Sequence, residues 1–548
     1  MIIYNYIIKM IPTIEYVKSY TALDIFNEKK KILSDEIIDD YTADLRLRDN
    51  KTEVVHKCRL SLINIDLSLV NTLRRIVLAY IPIVAFSEIN IIENNTSLIN
   101  EFLEKRLNLI SVSMQTLNNH GESYNLENDN ILKSVQLKSS YNKIIGIREY
   151  EFNNPEVLPK FNINKYKDSS GYDYITSFNI NYNEEEDPNH FDKKLNYLNP
   201  DLFSNDYDVI TKLKEDEKIN IDMKLGCGIG FINVMYSSVG TISVKPTCIN
   251  KIEDIESLLA KIEDHHDESG QMLRENLNHE LQLYSEAFKS YKDSIVKERL
   301  EKGLLTEDDL EEPFDEEEFG NIKHDFDTLI RPRIYPNNYK GNSTSYVVNI
   351  ETNNNLKAEQ IFLDALAVLY INISDLKTNI KSSRPKSYNE NEFIKISINQ
   401  TKSNNYELII ENENHTLGNL LKNYLNLYND QPDNEYKLEF ISYTQPHPLI
   451  NNILFKFITN LGQKTIFKIF NETLNKIHLD IASLGEQYLE VLKSQFNYEE
   501  LEHIYPDYIP KFMSYASFRV DNLCIQVNNG DNGTTDEKAD EGTPMSLE

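Results

Sequence analysis

Five clusters carry residue types that could do chemistry. Gly226-Cys227-Gly228-Ile229-Gly230 follows an alternating run and could cradle a phosphate on backbone N–H groups, but no Gly-Lys-Ser/Thr and no helix start stand behind it, so a flexible turn is the expected structure. The acidic run Glu307 to Glu318 has enough carboxylates for a divalent cation, yet lacks the Gly-centred loop of a calcium hand and reads as a solvated face. His265-His266 in the same acidic region reads as surface rather than as a metal-ligand pair, and His447 between Pro446 and Pro448 as part of a turn rather than as a catalytic base. Arg74-Arg75 could make charge-assisted contacts to a partner or could be ordinary helix-surface charge. None of these assembles a catalytic, metal or cofactor site, and none is expected.

Composition narrows the classes further. The 548 residues hold 57 Lys and Arg against 87 Asp and Glu, a formal net charge of −30, which opposes direct nucleic-acid binding because that rests on cations neutralising phosphates. With 40% hydrophobic residues, including 33 Tyr and 23 Phe, the chain can bury several cores. Four cysteines lie far apart, without a Cys-x-x-Cys pair, which argues against a zinc ribbon and a disulfide framework. The longest apolar run, Ile76 to Phe86, is broken by Pro82 and is far shorter than the roughly 20 residues of a membrane span. The apolar N-terminus lacks the basic leader and cleavage site of a signal peptide, so an intracellular protein with no membrane association is expected.

The elements that must position these residues follow from periodicity. Lys57 to Ile65 reads as a strand, Ser68 to Tyr80 as a helix stopped by Pro82, and Ile83 to Ile92 as a strand. A helix beginning at Ser97 would place Leu98, Ile99, Phe102, Leu103 and Leu107 on its apolar face. Residues 118–204 lack a clear period and read as an inserted, loop-rich subdomain. Ile219, Ile221, Met223 and Leu225 alternate with polar residues as in a half-buried strand. Between 251 and 330, 24 acidic residues face 9 basic ones, half of the chain's excess charge. There Leu273, Leu277, Leu281, Tyr284, Phe288, Tyr291 and Ile295 predict a long helix, paired as a hairpin with the one carrying Ile252, Ile255, Leu259 and Ile262. A strand at Tyr346 to Glu351 and a helix at Ala358 to Leu376 precede a polar linker. Beyond it come a strand (Glu407 to Glu411), a helix (Thr416 to Tyr428), two strands (Glu439 to Tyr443, Ile453 to Ile458) and a long helix from Gln463 to Lys493. The tail from Asn528 has little to bury.

One motif occurs twice. Ser68-Leu69-Val70-Asn71-Thr72-Leu73-Arg74 and Thr416-Leu417-Gly418-Asn419-Leu420-Leu421-Lys422 share a hydroxyl, Leu, Asn, Leu and a basic residue in register. Ser68 and Thr416 are N-cap residue types, so both copies predict a helix start and two related halves.

The ordered series Asn71-Thr72-Leu73-Arg74-Arg75, Ile81-Pro82, Glu93 to Ser97, Glu101-Phe102 and Arg106-Leu107 resembles the alpha-like assembly subunit of multisubunit RNA polymerases, the third-subunit or archaeal D type. Ile210 to Leu213, Gly228 to Gly230 and Tyr236 to Thr241 resemble its closing part, although the family's His-Ala-Lys is absent. Asn414-His415-Thr416-Leu417-Gly418-Asn419-Leu420-Leu421 and Tyr443 to Pro448 resemble its small partner, the eleventh-subunit or archaeal L type. Both in one chain resemble the fused subunit of nucleocytoplasmic large DNA viruses.

The resemblance implies an α+β fold in which two alpha-NTD-like dimerisation units, fused in one chain, form an intramolecular pseudo-heterodimer. Expected boundaries are an N-terminal extension (1–39), a D-like domain (40–117 and 205–382) with the inserted subdomain (118–204) and an acidic helical insertion (251–325), a linker (383–391), an L-like domain (392–495) and a C-terminal extension (496–548). The resemblance assigns the assembly interface to Asn71, Leu73, Arg74, Arg75, Glu101, Phe102, Arg106, His415, Thr416, Leu417, Gly418, Asn419, Leu421, Pro446, His447 and Pro448. It implies a subunit without catalytic site or cofactor, whose partners are the two largest polymerase subunits and the small ones, acting in host cytoplasm, nucleus or virion. Two other classes compete: an acidic coiled-coil adaptor recruiting partners through 251–302, and a nucleotide-dependent enzyme built on Gly226 to Gly230, for which a phosphate-binding lysine is missing.

Overall fold

The computed structural model describes, in the main, residues 12–20, 57–113, 135–142, 147–153, 160–183, 207–262, 268–302, 314–337, 341–353, 356–382, 396–402, 404–431, 436–495 and 511–518. The 383–391 linker, His265-His266, Glu307 to Pro313 and the tail from Asn528 fall outside the described residues.

In chain order the elements are β1 (Thr13–Tyr20), β2 (Lys57–Ile63), α1 (Leu67–Ala79), β3 (Pro82–Asn94), α2 (Asn100–Asn108), β4 (Val135–Asn142), β5 (Ile147–Phe152), β6 (Lys160–Tyr166), β7 (Asp173–Thr176), β8 (Asn181–Asn183), β9 (Val209–Leu213), β10 (Lys218–Ile229) and β11 (Val239–Pro246). Then come α3 (Ile252–Ile262), α4 (Glu268–Glu301), α5 (Glu316–Asp325), β12 (Ser345–Thr352), α6 (Ala358–Ser382), β13 (Ile396–Lys402), β14 (Asn405–Glu411), α7 (His415–Asp430), β15 (Phe440–Thr444), β16 (Asn452–Ile458) and α8 (Gln463–Gln495). Mixed helix and sheet make this an α+β chain.

It divides into two compact units. The first comprises Met1–Tyr16, Arg59–Asn71 and Ser243–Asn349; the second comprises Val17–Cys58, Thr72–Ile242 and Ile350–Glu548. This division differs from the sequence-based boundaries, because α6 packs with α8 and so joins the unit of the later residues.

The first unit supplies most of a sheet of order β1-β2-β12-β11 and the acidic helices. The N-terminal extension is therefore not a bare tail: Thr13–Tyr20 is an edge strand. The expected hairpin of α3 and α4 is present, with Ile255 and Leu277 buried and Leu259 and Leu281 against them. Tyr284 and Phe326 form a second core with Ile249, lined by Phe288, Tyr291 and Ile334. The apolar stripe of α4 is thus covered within its own unit, which removes the seam a coiled-coil adaptor would offer along those residues. Asp315, from the acidic run, caps α5 by accepting from the Glu318 N–H at 2.7 Å, and Glu318 pairs with Arg299 at 3.2 Å. Those two carboxylates have structural partners.

The second unit holds sheets of order β3-β10-β6-β8 and β13-β14-β16-β15. In β10, Ile219, Ile221, Met223 and Leu225 are buried, as their alternation predicts. Two expectations fail in this sheet. Gly226 to Ile229 is strand, not turn: it pairs with Ala85 to Pro82 of β3. The glycines serve close approach, since a Cβ on Gly228 would stand 2.5 Å from the Tyr236 ring and one on Gly230 2.8 Å from the Leu78 carbonyl. Residues 118–204, expected to be loop-rich, contribute β4 to β8, and β6 pairs with β10 over Lys160 to Tyr166. Their signal is short because each strand has fewer than nine residues and Asn and Tyr blur the alternation.

Candidate assembly interface

The repeated motif builds the same turn twice. Each copy leaves its strand through an Asn in the left-handed region, Asn64 at φ 57° and Asn412 at φ 62°, a conformation Asn tolerates better than other side-chain-bearing residues. Two residues later Asp66 and Asn414 accept from the backbone N–H of Ser68 and of Thr416, both at 2.8 Å. These are the caps, not Ser68 and Thr416, which lie at the second helical position. The signal was present, because the two sequences match at Asn64/Asn412 and Asp66/Asn414 just upstream of the motif.

The hydroxyls are then free for other work, and they diverge. Ser68 Oγ turns back to the Asp66 carboxylate. Thr416 instead meets α1: Thr72 Oγ1 donates to the Thr416 carbonyl at 3.1 Å, and Arg75 Nε donates to Thr416 Oγ1 at 2.8 Å. Asn414 uses both ends of its amide, accepting from Thr416 N–H while its Nδ2 donates to Tyr80 Oη at 2.7 Å. Burial raises the Tyr80 pKa, offset in part by the Asn414 hydrogen bond and the Arg75 charge. Leu73, Leu417 and Leu421 are buried core, and Thr416 is buried with them. Gly418 is fixed by sterics, since a Cβ there would lie 2.7 Å from the Tyr443 ring. Asn71, Arg74, Arg75 and Asn419 are half-buried.

The other expected residues lie elsewhere. The helix expected from Ser97 starts at Asn100, without a side-chain cap, because Asn94 and Thr96 bond each other in the preceding turn. Only Leu103 and Leu107 of the expected apolar face are buried on α2, whereas Ile99 and Phe102 are 57% and 60% exposed. Glu101 is exposed in the first turn, and exposed Arg106 donates to the Val209 carbonyl. Exposed His415 sets its ring edge against Tyr443, centroids 5.8 Å apart. Pro446, His447 and Pro448 are exposed; His447 Nδ1 accepts from the Leu449 N–H at 3.1 Å, a turn role, and Leu449 beside it is 86% exposed. Among the described residues no group of three or more His, Cys, Asp or Glu is arranged to hold a metal, and no helix is long and apolar enough to cross a membrane.

A second contact region joins α6 to α8. Phe362 meets Tyr488 edge-on at 5.0 Å, and Tyr488 Oη donates to the Glu359 carbonyl at 3.0 Å. Tyr370 stacks on His478 at 4.1 Å with the rings 2° from parallel, and His478 Nε2 is 2.9 Å from Ser374 Oγ. Burial pulls the His478 pKa down to about 4. On α7, Tyr424 Oη donates to Asp480 of α8 at 3.0 Å.

The profile of the RNA polymerase Rpb3/Rpb11 dimerisation domain matches residues 59–371, more than half of the chain, and a second profile of the same description matches 405–487. The chain belongs to the Rpb3/Rpb11 dimerisation-domain family. Among curated relatives, DNA-directed RNA polymerase subunit Rpo11 of Saccharolobus solfataricus is 40% identical over 100 residues, covering 18% of this chain and 96% of that protein. Rpo11 of Sulfurisphaera tokodaii is 40% identical over 67 residues, 12% of this chain and 64% of that one. A conjugation stage-specific protein of Tetrahymena thermophila is 38% identical over 69 residues, with 13% and 22% covered. Of the last two proteins, then, this family member spans less than two thirds. Both contact regions join the 59–371 match to the 405–487 match: Thr72, Arg75 and Tyr80 reach Asn414 and Thr416, and Tyr370 reaches His478, with the Phe362–Tyr488 contact one residue beyond the second match.

Proposed function

We propose that this chain is a non-catalytic subunit of a multisubunit DNA-directed RNA polymerase, in which two fused dimerisation units clasp as an intramolecular pseudo-heterodimer and seed assembly of the two large catalytic subunits and the small ones. The observation that carries the reading is the pairing of the two family-matched stretches through α1 with α7 and α6 with α8. Fusion favours such a clasp, because a linker of about a dozen residues spans ~35–40 Å and holds the halves at roughly millimolar effective concentration. The one-chain arrangement, by its resemblance to the fused viral subunit, points to transcription of viral genes in host cytoplasm, nucleus or virion.

The interface residues take two roles in this proposal. Leu73, Thr416, Leu417, Gly418 and Leu421 serve the clasp. Arg74, exposed Glu101, Phe102 and Arg106, and the turn Pro446-His447-Pro448 serve docking to larger neighbours, for which exposed apolar side chains such as Phe102 and Leu449 are suited, and Arg75 serves both, its Nε being bonded to Thr416. The formal charge of −30 supports contact with protein rather than with nucleic acid.

Affinity purification of the tagged chain from expressing cells, with mass spectrometry, tests the reading. Large polymerase subunits should accompany it, and the Arg74→Ala/Arg75→Ala double variant should lose the second-largest subunit by about 1 to 3 kcal/mol of association. Melting the free variant separates a loosened clasp from lost docking. Recovery of no polymerase subunit, or unchanged co-purification of the double variant, refutes it.

A further inference from the structure

Residues 511–518 lie beyond both family matches, in a stretch expected to be a plain C-terminal extension, yet Phe512, Met513, Tyr515, Ala516 and Phe518 are buried. Their seat is the groove between α6 and α8. Three features make that groove a built recognition site. Phe512 packs on the α8 backbone at Gly485, where a Cβ would clash with its ring, and it meets Tyr370 edge-on at 5.9 Å. Fully buried Asp364 accepts from both the N–H and the hydroxyl of Ser517, at 2.7 and 2.6 Å. The Gln360 amide donates to the Tyr515 carbonyl, and Phe518 closes the end against Tyr150 of β5 at 6.1 Å. The groove thus reads two aromatic rings, one hydroxyl and the backbone between them.

We infer that the α6–α8 groove is a peptide-binding site for a Phe-x-x-x-x-Ser-Phe segment, and that residues 511–518 fill it as a cis ligand, a latch across the helix pair. The helices do not need it to meet, since Phe362, Tyr488, Tyr370 and His478 pack directly. The segment is tied to α8 by the 15 residues 496–510. A tether of that length gives roughly millimolar effective concentration, so an intrinsic Kd of about 10–100 μM keeps the latch seated while leaving it exchangeable.

The test uses the full chain with a protease site placed within 496–510 and cut after folding. The released fragment should stay bound at protein concentrations above that Kd and dissociate on dilution, and excess synthetic peptide of residues 509–520 should displace it. Labelled peptide should bind the stripped body, at least about tenfold more weakly when it carries Phe512→Ala or Ser517→Ala. Gly485→Ala in the cut chain should shed the fragment although alanine favours the helix. The inference fails if the fragment separates even at protein concentrations well above that Kd. It fails equally if the fragment leaves only on unfolding, or if the Phe512→Ala peptide binds as well as the parent. None of these readouts involves a polymerase subunit, so they stand apart from the test of assembly.

Discussion

The two places where the matched stretches meet are built from different materials. Between α1 and α7 hydrogen bonds run from Thr72 and Arg75 to Thr416 and from Asn414 to Tyr80, beside buried Leu73, Leu417 and Leu421. Between α6 and α8 rings and aliphatic side chains predominate, with Phe362, Leu366, Leu369, Ile373, Ile477, Ile481, Leu484 and Tyr488 all buried, beside the hydrogen bonds of Tyr488 and His478. Apolar burial scales with area and is indifferent to small offsets, whereas a hydrogen bond weakens steeply when it is misaligned. Under the proposed clasp, the long helices should therefore supply most of the free energy and the signature helices should fix its register. The polar contacts also break the symmetry of the repeat, because Thr416 accepts from Arg75 while Ser68 turns to Asp66.

The largest effects should come from the long pair. Tyr488→Ala removes a buried ring and its bond to the Glu359 carbonyl, and should cost about 3–5 kcal/mol in urea melts. A cost below that of any change at α1–α7 would invert the ranking. Next comes pH. His478 binds its proton at about 4 in the folded chain and at 6.5 in the ordinary state, so between those values the unfolded chain holds more protons. Stability should fall by about 2–3 kcal/mol as pH drops from 6.5 to 4. Asp480, whose pKa burial raises, opposes this at the acid end, since there the folded chain keeps its proton more tightly. Melts of His478→Phe, which keeps a ring on Tyr370, should lose the decline; an unchanged pH profile would remove His478 from the account.

How much of this could be read beforehand depended on period length. The helices α1, α7 and α8 and the strand β10 announce themselves because their apolar residues recur with a clear period, and the ends of the three helices fall within about two residues of expectation. The caps were misassigned because Ser and Thr are good cap types; only the match at Asp66 and Asn414 tells the positions apart. The Gly226 to Gly230 run misled for a different reason: glycine marks close approach as often as flexibility, and the approaching group, Tyr236, makes its contact through tertiary structure. Phe512 and Ser517 were invisible, since eight residues without period have meaning only against Gly485 and Asp364. The expected interface rested on resemblance throughout; the structure buries Leu73, Thr416, Leu417, Gly418 and Leu421 and leaves Phe102 and Pro446 to Pro448 exposed.

Exchanging residues between the copies sharpens the comparison at smaller cost. Val70 and Gly418 occupy the same motif position, and Gly418→Val drives a branched side chain toward the Tyr443 ring. The strain should cost about 1–3 kcal/mol, less the gain from removing a helical glycine. A neutral result would mean that Tyr443 swings aside, and His415, whose ring meets Tyr443, would then report the movement by NMR.

The smallest and most diagnostic prediction concerns Arg75 and Thr416. Arg75→Ala and Thr416→Val each remove one partner of the 2.8 Å bond, and each single change should cost about 1–2 kcal/mol, Thr416→Val also disturbing a buried hydroxyl site. In a double-mutant cycle the pair should show a coupling of about 1 kcal/mol, whereas Arg75→Ala with Tyr488→Phe, in the other contact region, should be additive. Register is the property at issue, so stability alone is not enough. If the polar pair sets alignment, a cysteine pair placed across α6 and α8 should cross-link less selectively in the Arg75→Ala chain than in the parent. If cross-linking stays as selective while only the melting temperature falls, Arg75 contributes energy without specificity, and the division of labour between the two contact regions does not hold.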